Sequence, residues 1–199
     1  MKISHAHLEE LRGDPQSFTT LPVRRFGGIS MYRRWQLVLK TLHADGLRIA
    51  RDRLRETLES NYNHNRRNTK QFDALLHALE QYSQEFNHLG GVAVEVLRPM
   101  KLIVSPKLTI GGEVARLDLN PAGGYSAYLL SKEGLSGWKG ELRFPLLQGY
   151  IAGQLSAPLS EVSVGVYSLE IGAHKRRVFS AAEVRNAQLE ATRIAAALP

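Results

Sequence analysis

The chain has 199 residues, a net charge of +7 and no cysteine. Its 43% hydrophobic and 23% charged residues suit a globular protein long enough for one domain with a sizeable core. The missing cysteines exclude disulfides, thiolate zinc sites, iron–sulfur clusters and a cysteine nucleophile. The opening MKISHAHLEELRGD has no apolar stretch of the kind a secretory signal needs, and no apolar run nears the roughly 18 residues of a membrane span. A cytoplasmic protein with no membrane contact is therefore expected. The basic balance, with a pI of about 9.8, favours a polyanionic partner: nucleic acid or an acidic protein.

In chain order, a short helix is expected from an N-cap at Ser4, with Leu8 and Leu11 on one face and Gly13-Asp14-Pro15 as its stop. Residues 19–28 read as loop. Ser30 then caps a helix carrying Trp35, Leu37, Val38 and Leu42, which closes at Asp45-Gly46. A second amphipathic helix follows with Ile49, Leu54 and Leu58, and its arginines are offset by Asp52, Glu56 and Glu59 at helical spacing. The polar run Asn61 to Asn68 breaks the apolar period and reads as an exposed loop. Phe72, Leu75, Leu76, Leu79, Tyr82 and Phe86 restore it as far as Gly90-Gly91.

Beyond Gly91 the apolar period becomes two. Strands are expected at 92–96, 101–105, 107–118 and 125–130, with a turn at Asn120 to Gly124. An apolar-rich helix spans 145–155 and a strand spans 162–169. Ser180, with Glu183 three residues on, caps a last helix over 181–198. This order predicts an α/β or α+β chain built on a mixed sheet with helices against it, as one domain whose mainly helical part is 1–90 and whose sheet-containing core is 91–199.

Several segments resemble, in order, the RecB-like PD-(D/E)XK nucleases. Ile3 to Leu11 with Pro15 and Phe18 looks like the family's opening motif, and Glu95 sits where the family usually has a glutamate. Gly112 to Asp118 is similar to its G-x-x-D-R-x-D strand, and Gly124 to Lys132 falls on the strand that there ends D-Y-K-T. Arg143-Phe144-Pro145-Leu146-Leu147 resembles the helix motif Q-L-P-L-Y, with Gln148 and Tyr150 one turn on. The resemblance implies a restriction-endonuclease-like sheet flanked by helices, with an N-terminal helical elaboration.

It also implies metal chemistry, and there the residues depart. The family cuts phosphodiesters with Mg²⁺ held by two carboxylates, and a lysine two residues beyond the second helps to activate water. In this chain the first carboxylate position is Ala115, the second is Leu129 and the lysine position is Ser131. Magnesium takes hard oxygen ligands, which a methyl or isobutyl group cannot supply. No cofactor and no metal site are expected on this reading. A migrated Mg²⁺ site would have to use Glu95, Glu113 or Asp118 with Lys132; strand alternation sets Glu113 on the face of Ala115 and Asp118 on the other. His5 or His7 could occupy the place of a histidine found near the N-terminus of some members.

No phosphate-binding glycine loop, dinucleotide fingerprint or G-x-S-x-G elbow is present, and the glycine pairs read as turns. The basic positions most suited to phosphates are Arg66, Arg67 and Lys70 beside Tyr62, then Lys132, Arg143, and Lys175-Arg176-Arg177. The expected function is a catalytically inactive nuclease-like protein that binds nucleic acid or serves as a subunit of a DNA-processing or phage-defence assembly. The alternatives are an active metal-dependent nuclease and a structural module with a protein partner.

Overall fold

The structure, a computed structural model, describes residues 2–14, 31–59, 66–131, 135–169 and 171–198, without the side chains of 6, 31–35, 37, 58 and 66–72. Tyr62, Lys132, Pro15, Phe18, the 19–28 segment and the Ser30 cap lie outside the described residues. The described residues form an α/β structure: a mixed sheet of six strands with helices on both faces. The strands are β1 (Lys2–Ser4), β2 (Val92–Ser105), β3 (Leu108–Leu119), β4 (Tyr125–Ser131), β5 (Val162–Ser168) and β6 (Ala173–Arg177). The helices are α1 (Leu8–Gly13), α2 (Met31–Glu59), α3 (Arg66–Leu89), α4 (Arg143–Leu155) and α5 (Ala181–Ala197). Among the described residues, no helix is long and apolar enough to cross a membrane.

β3 organises the sheet. β2 pairs antiparallel along one side of it; on the other side β1 runs parallel at Thr109–Gly111, and β4 runs antiparallel at Arg116–Leu119. β4 then pairs parallel with β5, which α4 makes possible by crossing back over one face, and β6 returns antiparallel to β5 as an edge. Two apolar clusters result, one per face. Leu117, Ala127, Leu129, Val164 and Val166 pack with α1, α4 and α5, whereas Tyr128 and Tyr167 pack with Leu79, Tyr82 and Phe86 of α3 and with Leu39 and Leu54 of α2.

Some local expectations change. Ser4 makes no capping bond; its Oγ lies 2.9 Å from His7 Nδ1, a 3₁₀ turn occupies His5–His7, and α1 begins at Leu8. The residues before that turn form β1, too short to show a period. α2 runs through Asp45-Gly46 as a kink, with Gly46 at φ 85°, a conformation that favours glycine. Arg66, Arg67 and Asn68 belong to the first turn of α3 rather than to a loop. The Leu75, Leu79, Tyr82, Phe86 stripe fixes the helix, and extending a formed helix through arginine costs little.

The runs at 92–96 and 101–105 are one strand, irregular at Leu97 (φ 54°), where Pro99 is tolerated because β2 is an edge. α4 begins two residues before Pro145, which its first turn accommodates. β6 lies where only a basic cluster was read. The α5 capping box forms as expected, with Ser180 Oγ accepting from Glu183 N–H at 3.2 Å.

Candidate functional site

Antiparallel pairing of Arg116 with Tyr128 and of Leu117 with Ala127 brings the 115 and 129 positions to neighbouring places on β3 and β4. Ala115 and Leu129 line a cleft of about 450 Å³ together with Leu130, Gly112, Glu113, His5, Gln36 and Arg143. Three distant segments thus converge on the two strands. The 3₁₀ turn after β1 brings His5, α2 brings Gln36, and the first residue of α4 brings Arg143.

Gly112 explains how His5 enters. A Cβ there would lie 2.1 Å from His5 Cδ2, so the imidazole rests against bare backbone. The ring is mostly buried and its Nδ1 has no hydrogen-bond partner. Burial lowers its pKa to about 4, and the neighbouring charges of Arg143 and His7 push the same way. His5 is therefore neutral at physiological pH. Arg143 Nε pairs with Glu141 at 2.5 Å, and its guanidinium carbon lies 5.0 Å from the Phe144 ring centre.

The expected alternative ligands do not gather here. Glu113 lines the cleft. Glu95 stands on β2 opposite Leu117 and pairs with Arg98 at 3.2 Å. Asp118 lies on the other face of the sheet, as alternation requires, bonded at 2.6 Å to Arg116 Nε. Both members of that pair are buried, 5% and 2% exposed, beneath α3. Arg116 also lies 4.0 Å from the Phe86 ring centre and 3.5 Å from His43 Nε2, which must then be an unprotonated acceptor. His43 accordingly has a pKa lowered to about 4, by burial first and by Arg116 second. Among the described residues no three His, Cys, Asp or Glu side chains converge in a way that could hold a metal ion.

Ser131, half-buried, ends β4. Among the described basic side chains, Arg143 alone enters the cleft. Lys175, Arg176 and Arg177 lie on β6, and the backbone of Arg66, Arg67 and Lys70 forms the first turns of α3. Gln148 is internal to the fold: its amide donates to Leu159 O and Phe179 O, both at 2.9 Å, and accepts from Phe179 N–H at 2.6 Å. Tyr150 Oη lies 3.4 Å from the Lys101 amide, a long contact between α4 and β2. Sequence reading did not foresee Gln36, which carries no motif signal. It gave Arg143 as a phosphate contact without its place beside His5.

No protein-family model matches the chain, and a search of curated proteins found no match. What the cleft does must be argued from its own residues.

Proposed function

We propose that the chain is a non-cleaving relative of the RecB-like PD-(D/E)XK nucleases that binds nucleic acid without a metal ion. The observation that carries the reading is that Ala115 and Leu129 line one cleft with His5 and Arg143. The order α3, antiparallel β2–β3–β4, crossover α4 and parallel β5 supports it, being the arrangement the motif resemblance implies. On this reading the cleft keeps the place of the metal and lacks the carboxylates that would hold one. Glu113 is the one carboxylate of the described lining, too few for a two-carboxylate Mg²⁺ site, and Arg143, shared with Glu141, is the group that would meet a phosphate. Lys175, Arg176, Arg177 and the first turns of α3 would supply further contacts, and a place in a larger DNA-processing assembly is compatible with such binding.

Restoring the ligands tests the assignment. Ala115→Asp with Leu129→Glu and Ser131→Lys is expected to create saturable Mn²⁺ binding by calorimetry, absent in the unsubstituted protein. A folded triple variant that takes up no Mn²⁺ would contradict the family reading. Mn²⁺ binding by the unsubstituted chain that Glu113→Gln abolishes would contradict the loss of the metal site.

A further inference from the structure

A second cleft, of about 630 Å³, opens at the other end of β4, between the β3–β4 turn, the 3₁₀ turn at Leu159–Glu161 and the end of β6. It lies on the order of 13 Å along the strand from Leu129, four residues at about 3.3 Å each. We propose that it binds a phosphate group, with Arg176 as the anchor, independently of what the first cleft does.

The site is built around that guanidinium. Arg176 stands across from Gly165, where β6 approaches so closely that a Cβ would lie 2.0 Å from Lys175 O. Arg176 Nη1 donates to Asn120 Oδ1 at 2.9 Å and to Ser126 Oγ. Ser126 in turn donates to Asn120 Oδ1 at 2.7 Å and lies 2.8 Å from Ser163 Oγ. Neutral acceptors therefore hold the guanidinium in place, both through Nη1; Tyr128 and the Arg116-paired Asp118 also lie within its electrostatic reach, and the side chain stays exposed in the cleft lining.

The nearby carboxylates are mostly engaged elsewhere. Asp118 is bonded to Arg116, and Glu183 to Arg177 and the α5 cap. Glu161, exposed at the rim, is the opposing charge. Ser160 adds a hydroxyl to the lining, Ser163 Oγ donates to Tyr125 O at 3.2 Å, and Gly124 lets the turn close on Glu161 O, which a Cβ would meet at 2.5 Å. A phosphate would sit between Arg176 and the Ser160 hydroxyl, its several acceptors matching the guanidinium's donors.

The test is titration of the ¹⁵N-labelled full chain with inorganic phosphate, then with an unphosphorylated DNA oligonucleotide. Saturable shifts at the amides of Gly123, Gly124 and Ser163 are expected, with none at Gly112, Ala115 or Leu129 on adding phosphate. Arg176→Gln should weaken binding about tenfold or more. Ser160→Glu, which touches none of the internal bonds, should weaken it likewise, and Glu161→Gln should tighten it. Displacement of phosphate from these amides by the oligonucleotide would identify the source as a nucleic-acid backbone, whereas its absence would identify a free phosphate or phosphorylated small molecule. No saturable shift at those amides would overturn the proposal, as would affinity unchanged in both Arg176→Gln and Ser160→Glu. Neither result bears on whether the first cleft binds metal.

Discussion

Arg116 and Asp118 form a buried pair whose members cannot be removed singly at low cost. Asp118→Ala would leave a guanidinium under α3 with no compensating charge, and a loss of ~3–5 kcal/mol is expected in urea unfolding. That makes Asp118 a poor probe of catalysis: lost activity there would report lost structure. Glu113, which faces the first cleft, is the informative carboxylate. Strand alternation set Asp118 on the face opposite to Ala115 and Glu113, and the structure has it there, bonded to Arg116 under α3. Alternation could not give the arginine pair's burial, which depends on how α3 lies across the sheet.

His5 adds a pH dependence. Its folded pKa of about 4 lies below the ordinary 6.5, so the unfolded chain binds the proton more tightly between those values. Stability is then full above pH 6.5 and falls as pH drops towards 4, by on the order of 2 kcal/mol from His5 after allowing for its partial exposure. His43 adds a loss of the same sign. Urea midpoints measured across that range should fall on acidification, and His5→Gln should flatten the curve; a midpoint rising towards pH 4 would contradict the buried neutral imidazole.

At the scale of elements, the first turns of α3 carry Arg66, Arg67 and Lys70 at the end of a helix where the macrodipole already favours anions. Replacing the three by glutamine should lower the salt dependence of nucleic-acid binding by up to about three in the logarithmic slope, with little change in unfolding. An unchanged slope would remove this helix end from the interface. The long elements were legible because their apolar periods are long, as in α3, β3 and α5. The misread ones have physical reasons. β1 has three residues and gains its pairing only from β3, and β6 is a polar edge strand with no apolar alternation. β2 shows as two runs because Leu97 and Pro99 interrupt its pattern without ending its pairing. Arg176 was legible as a charge, but its seat on Asn120 and Ser126 depends on contacts between β6 and the β3–β4 turn and β4, 56 and 50 residues earlier in the chain.

For the whole molecule, a net charge of +7 with two clefts that each contain an arginine favours a partner carrying several phosphates. Affinity for such a partner should fall steeply as salt rises, because neutralised phosphates release their counterions, whereas a hydrophobic protein interface would be nearly insensitive. The most direct measurement is to incubate labelled single- and double-stranded DNA and RNA with the full chain in Mg²⁺, in Mn²⁺ and in EDTA, and to read binding and cutting from the same samples. The expected result is bound, uncut substrate in all three conditions, with no gain in affinity from Mg²⁺ or Mn²⁺ over EDTA. Metal-dependent cutting that Glu113→Gln abolishes would contradict the account and return a metal ion to the cleft.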